Sequence, residues 1–403
     1  MQQQFVKRET AHLLERLGQS ARLRGYVRRC IIQCLRESIT QVAPHLADVQ
    51  ASVFAKAIEN IFTLVGSFPS LESVVVHRVN MPFKWLFFLC NRPNILLDVV
   101  ISAASVYDAV DLPTDQPFNL SSLMISTSNI RGCMPGIIQM TSLSSSLRVL
   151  SLDTTHTWTL KDLFEKHMQS SSISLPRLEI LGIAWIDPEH FEFFRCTPNL
   201  LDLRFKMGFK LPGGTAPLPA NLLPKLRRFR GDTTLFNTFI VGRPVTDIET
   251  RDAAEDDVPF DQFGSRFGSS ADILSLTWDN CTRNRELLLY VSGYCPKIRH
   301  LNVTPTVPYL KEELEARLEA VKPFKELCSL RITSLQHVPT EHNLEWERHQ
   351  CEVLTKNSPH LVSISFGALI DWSRKPDSKT WKPSGEGLPL AQLVRLPYKP
   401  GQK

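Results

Sequence analysis

Three groups of residues have types and spacings that suggest chemistry. Cys30 and Cys34 lie four positions apart, and His342, His349 and Cys351 form a nitrogen–sulfur group of the kind that ligates zinc. Neither converges on one ion. Along a strand the two cysteines stand roughly 13 Å apart. Along a helix His342 and His349 share a face, while Cys351 points about 200° away. There is no glycine-rich phosphate loop and no nucleophile elbow, and GSRFG at Gly264–Gly268 lacks the strand–turn–helix setting an elbow requires. No catalytic, cofactor or metal set is expected, and the chain does not read as an enzyme.

The third group is Arg204, Lys206, Arg228 and Arg230, which alternate along two phrases that read as adjacent strands. Neighbouring strands lie about 4.8 Å apart, so the four cations would crowd one patch. Such a patch suits an acidic or phosphorylated segment of a partner protein. It is equally open to neutralisation by Asp202, Asp232 and the acidic phrase holding Asp247 and Glu249. Asp252, Glu255, Asp256 and Asp257 follow closely and offer an acidic cover that a ligand would displace.

These cations sit on a recurring phrase, Pro-x-Leu-x-x-Leu-x-Leu with conservative swaps. It reads FPSLESVVV at Phe68–Val76, LPRLEILGI at Leu175–Ile183 and TPNLLDLRF at Thr197–Phe205. It returns as CPKIRHLNV at Cys295–Val303 and SPHLVSISF at Ser358–Phe366. Taking the first apolar residue of each phrase as an anchor gives Leu71, Ile95, Leu120, Leu147, Leu178, Leu200, Leu226, Val245, Ile273, Ile298, Leu327 and Leu361. The Ile95 and Val245 phrases match weakly, and an earlier one starts at Val27. Alternation within each phrase is the period of a half-buried strand. Phrase positions one, four and six face the core, and three, five and seven face outward.

Helical segments lie between the phrases. Tyr309–Val321 gathers Leu310, Leu314, Leu318 and Val321 on one face. Pro188 opens a short helix behind Asp187 as N-cap, with Phe191 and Phe194 at i, i+3 on one face. The prolines suit the end of a preceding helix, which they cannot continue. One strand plus one helix per repeat predicts an α/β fold, an irregular leucine-rich-repeat solenoid forming a curved arc of about twelve strand–helix units. The Asn or Cys that a regular repeat uses to bond its turn is matched by Cys281, with Thr155, Thr234 and Thr306 as weak substitutes. A (β/α)8 barrel would need about eight units over roughly 250 residues and is disfavoured.

A helical lead-in and cap spans 1–66, where Asp48–Val65 carries Val53, Ile58, Ile61 and Val65. The solenoid spans 67–370, with an irregular insertion at Leu211–Pro224 and an exposed insert at 251–270. A loosely packed Pro/Trp-containing tail, with Trp372 and Trp381, spans 371–403. The start MQQQFVKRET has no apolar run of a secretory signal, and no stretch reaches a membrane span. Nine unclustered cysteines suit a reducing compartment, so the cytoplasm or nucleus is expected, without membrane contact. A net charge of +5 is too mild to suggest nucleic acid as a partner.

The stretch Pro224–Glu249 resembles the middle of a large family of F-box proteins, chiefly from mushroom-forming fungi. There a leucine-rich phrase ends in Gly, and a helix leads into a Gly-Arg-Pro-Val step. Here these are Gly231, Thr234–Phe239 and Gly242-Arg243-Pro244-Val245. ARLRGYVRRCII at Ala21–Ile32 is similar to the segment that follows the F-box, and the Trp-containing tail also fits. The resemblance covers most of the chain. It implies a substrate-recruiting subunit of a cullin-RING ubiquitin ligase, in which the F-box docks the linker subunit and the repeats bind the target protein. The F-box opens with a Leu-Pro-x-Glu-like phrase, and residues 1–46 hold none. The linker subunit is therefore expected as a partner only with an F-box restored upstream, and only the target-binding half carries over. The alternative is a leucine-rich scaffold unconnected with ubiquitin ligases.

Overall fold

The computed structural model describes residues 15–17, 19–33, 56, 59–77, 81–82, 84–85, 88, 97–102, 106–107, 118–127, 134–154, 158–168, 175–206, 208–209, 211, 216–219, 221–251, 273–281, 284–305, 311–332, 341–366 and 370–384. The chain divides into two compact units, Met1–Lys206 and Met207–Lys403.

One local device recurs in both. The anchor residue's N–H donates to the carbonyl three residues earlier, as in Leu178 to Leu175, Leu200 to Thr197, Leu226 to Leu223, Ile298 to Cys295 and Leu361 to Ser358, at 3.0–3.3 Å. Proline follows the accepting residue each time, at the second place of a four-residue turn, where its fixed φ is already correct. The prolines therefore shape a turn into the strand; ending the previous helix is not their main service. Most strands begin two residues after the anchor, and the weak phrases behave alike, with strands at Leu97–Ser102 and Asp247–Arg251.

In the amino-terminal unit a short helix α1 (Ala21–Arg24), capped by the Ser20 hydroxyl, precedes strand β1 (Arg29–Gln33). There follow β2 (Ser73–His77), β3 (Met81–Pro82), β4 (Leu97–Ser102), β5 (Val106–Tyr107) and β6 (Leu120–Thr127). After helix α2 (Met134–Ser142) come β7 (Val149–Thr154), helix α3 (Trp158–Met168), β8 (Ile180–Ile183) and β9 (Asp202–Phe205). β3 and β5 pair with each other; the remaining strands line up in parallel as β1-β2-β4-β6-β7-β8-β9. Their register stacks Val74, Val99, Leu123, Leu150, Leu181 and Leu203 in one column, and Val76, Ile101, Ile125, Leu152, Ile183 and Phe205 in the next. All twelve are at most 2% exposed. Ile137 and Met140 of α2 and Leu163 and Phe164 of α3 are buried with them.

Of the lead-in helix, 59–66 is described; Phe62 and Val65 are buried and Ile61 is half-buried. Val53 and Ile58 lie outside the described residues, as does Ile95. The segment after Asp187 is a 3-10 helix, Pro188–Cys196, and the Asp187 side chain makes no capping bond. His190, Phe193, Phe194 and Cys196 turn inward while Phe191 is only half-buried, because a tighter winding changes which residues share a face.

In the carboxyl-terminal unit β10 (Arg228–Arg230) is followed by the 3-10 turn Thr233–Leu235, helix α4 (Phe236–Phe239), β11 (Asp247–Arg251) and β12 (Ser275–Cys281). Helix α5 (Asn284–Tyr294), β13 (His300–Pro305), helix α6 (Lys311–Val321), β14 (Ser329–Ile332), helix α7 (Glu341–Asn357) and β15 (Ser363–Ser365) continue the alternation. β10 to β15 are parallel, and Phe229, Ile248, Leu276, Leu301, Leu330 and Ile364 form the inner column. On α6 Leu314, Leu318 and Val321 are buried as its periodicity predicts. Within each unit the sheet is open, with its first and last strands unpaired to each other, so neither closes into a barrel.

Residues 371–384 are not loosely packed. β16 (Asp371–Ser373) runs antiparallel to β15, and β17 (Lys382–Ser384) runs antiparallel to β16. Trp372 and Trp381 are both buried against α7: their indole N–H groups donate to Glu347 Oε2 at 2.6 Å and Thr355 Oγ1 at 3.1 Å. Composition alone hides this, because two bulky indoles suffice to seat an otherwise polar stretch.

The Gly-Arg-Pro-Val step also has a structural role. Gly242 turns the chain at φ 73°, and Arg243, 2% exposed, donates to the carbonyls of Leu222, Thr238, Val241, Leu218 and Pro219 at 3.0–3.3 Å. One guanidinium thus ties the irregular stretch 218–222 to α4 and its exit. Burial pushes its pKa down to about 10, so it stays cationic at neutral pH. Thr234 does not bond the turn; its hydroxyl is buried without a partner, and Thr250 Oγ1 instead donates to the Gly231 carbonyl at 2.8 Å.

Candidate functional site on the outward strand face

Opposite each inner column runs an outward row. In the amino-terminal unit one row reads Ile31, Val75, Val100, Met124, Ser151, Gly182 and Arg204, and its neighbour reads Arg29, Ser73, Asp98, Ser122, Val149, Ile180 and Asp202. The first four residues of the former are apolar, and Ile31 is 57% exposed. Sequence reasoning looked outward only for charge and missed this strip. Its signal was present: CII at Cys30–Ile32 and VVV at Val74–Val76 are unbroken apolar runs, which put apolar side chains on both faces of a strand. In the carboxyl-terminal unit the outward rows are polar: Arg228, Asp247, Ser275, His300, Ser329 and Ser363, and beside them Arg230, Glu249, Thr277, Asn302, Arg331 and Ser365.

The four cations divide between the units. Arg204 grips Asp202 with two bonds, Nε to Oδ1 at 3.0 Å and Nη2 to Oδ2 at 2.7 Å, which pairs a carboxylate only 8% exposed. Lys206 lies 3.2 Å from Asp153. Arg230 reaches Glu249 on the acidic neighbouring strand at 3.2 Å. Arg228 is exposed and makes no ion pair among the described residues. Asp232 is buried at the head of the 3-10 turn, where its two carboxylate oxygens accept from the Gly208 N–H at 3.1 and 3.0 Å. The acidic stretch Asp252–Asp257 lies outside the described residues.

At the foot of the strands, Arg28 pairs with Glu72, and Arg148 pairs with Glu179 through two bonds of 3.1 and 2.7 Å. The hydrogen-bonded guanidinium holds the Glu179 carboxyl below its ordinary range.

Of the cysteine and histidine groups, Cys30 is half-buried on the inner side of β1, and Cys34 lies outside the described residues. On α7 His349 is exposed while Cys351 is fully buried, with burial raising its thiol pKa. They are not brought together.

A different cluster forms where α3 and the 3-10 helix Pro188–Cys196 pack side by side. Ligand atoms of Asp187, Glu189 and His190 all lie within 4.8 Å of one another. Glu165 of α3 adds a carboxylate 3.9 Å from His190 Nε2, and Lys161 Nζ stands 3.6 Å from both Glu165 and Glu189. Asp187, Glu189 and His190 lie within four consecutive residues, and Glu165 joins them only through packing.

A scan against protein-family models finds no match, and no curated protein matches the chain. No helix among the described residues is long and apolar enough to cross a membrane.

Proposed function

We propose that this chain is a non-enzymatic protein-recognition module, built as an irregular leucine-rich-repeat solenoid and related to the target-binding half of F-box ubiquitin-ligase adaptors. The observation that carries the reading is the outward row of the amino-terminal unit. Ile31, exposed, and Val100 and Met124, half-buried, continue through the buried Val75 as an apolar strip flanked by Arg29, Ser73, Asp98 and Ser122, an apolar centre and polar margin that suit protein binding. Regular parallel strands hold these side chains at fixed spacing, so little ordering entropy is lost when a partner docks. The polar outward rows of the carboxyl-terminal unit, with Arg228 and Arg331 exposed, supply charge that selects among partners.

The test is affinity purification of the full chain with identification of co-purifying proteins, compared with an Ile31→Asp variant and an Arg228→Glu/Arg331→Glu variant. These positions are exposed, so circular dichroism is expected to be unchanged. A target whose recovery falls sharply with either variant supports the reading; recovery indifferent to both overturns it. Stoichiometric recovery of the cullin-RING linker subunit with residues 1–403 alone would show that the amino-terminal segment itself docks a ligase.

A further inference from the structure

We propose that Glu165, Asp187, Glu189 and His190 form a binding site for a divalent cation of the zinc and cobalt class. Acidic residues at a helix start need no cation to explain them, since the helix dipole favours Asp187 and Glu189 there in any case. His190 does not fit that explanation. Its ring is 3% exposed, its Nδ1 is buried without a hydrogen-bond partner, and its Nε2 faces Glu189 Oε1 at 3.7 Å and Glu165 Oε1 at 3.9 Å. Both distances are beyond a hydrogen bond.

The neighbouring buried histidine shows what a purely structural one looks like. His167 on α3 is 1% exposed, its Nε2 lies 3.2 Å from the Thr141 hydroxyl, and burial lowers its pKa to about 4. His190, packed against Phe164 of α3, instead turns a nitrogen toward carboxylates.

The separations suit an ion. Two donors each about 2.1 Å from a tetrahedral zinc stand roughly 3.4 Å apart, so 3.7 and 3.9 Å require only small side-chain rotations. One imidazole nitrogen with carboxylate oxygens is a donor set that zinc and cobalt accept. Asp187, spared from capping the helix, keeps its carboxylate available. Lys161, half-exposed between Glu165 and Glu189, neutralises the acids while the cation is absent and can swing into solvent when it arrives. The site would brace α3 against the 3-10 helix on the side of the sheet away from the outward face.

The experiment titrates the metal-free full chain with cobalt(II) chloride, following visible ligand-field absorption, and then displaces cobalt with zinc. Saturable binding at one equivalent is expected. Glu189→Gln, at a side chain 64% exposed and so harmless to folding, should weaken it at least about tenfold. His190→Phe should abolish the band while preserving the aromatic packing, and Lys161→Met should strengthen binding by removing the competing ammonium. Absence of a saturable band in the unaltered protein overturns the proposal, and so does a band indifferent to both Glu189→Gln and Lys161→Met, even if His190→Phe fails to fold.

Discussion

Trp372 donates its indole N–H to Glu347 Oε2 at 2.6 Å, and the two residues are 3% and 1% exposed. A buried carboxylate on α7 is thereby paired by a strand that follows it in the chain. Removing the indole donor while keeping an aromatic ring should leave the acid without that bond. Trp372→Phe is expected to cost about 1–3 kcal/mol, measured by denaturant titration. Trp372→Phe on a Glu347→Leu background should cost less, because the buried acceptor is gone; equal costs would show that the indole acts by packing alone.

Arg243 should tolerate no conservative exchange. A lysine ammonium cannot present the planar fork that reaches five carbonyls, so Arg243→Lys and Arg243→Met are each expected to destabilise by about 3 kcal/mol or more. A Lys variant within 1 kcal/mol of wild type by the same titration, roughly the worth of a single bond, would refute the hub role.

Leu203 and Leu201 test the strand register. Leu203 is fully buried and Leu201 is 39% exposed two positions away. Leu203→Ala should cost about 2–5 kcal/mol through lost burial and a cavity. Leu201→Ala should stay within about 0.5 kcal/mol. Comparable losses at both sites would mean that the inner column is misassigned.

His167 gives the amino-terminal unit a pH dependence. Burial, with a smaller contribution from Lys166, lowers its pKa from 6.5 to about 4. The unfolded chain therefore binds the proton more readily, so stability is full above pH 6.5 and falls as pH drops toward 4. A shift of this size corresponds to about 3 kcal/mol. The stability difference between wild type and His167→Gln should shrink over that window; a difference constant with pH would assign the acid sensitivity elsewhere.

Much of this architecture was legible in the phrase itself. Leu178, Leu200, Leu226, Ile298 and Leu361 all prove buried anchors, because a period-two pattern opening on a proline turn is satisfied by one local conformation. What escaped was non-local. Asp232 reads as an outward charge from its phrase position, yet the chain turns after Arg230, and the Gly208 N–H draws it inward. That Glu165 joins Asp187, Glu189 and His190 depends on how two helical segments lie against each other, which no spacing encodes. The Trp-containing stretch was misjudged because polar composition outweighed two large rings whose partners sit on α7.

The reversal at β16 and β17 has a corollary. Six parallel strands of the carboxyl-terminal unit follow one rule, and the stop signal is carried by separate residues downstream: Trp372, Arg374, Trp381 and the edge residue Pro383, which has no N–H to offer another strand. A strand added to or removed from the parallel run upstream would leave these terminal contacts undisturbed. The same hairpin denies a neighbouring molecule the parallel edge on which it could continue the ladder, which separates the freedom to vary in length from the hazard of polymerising.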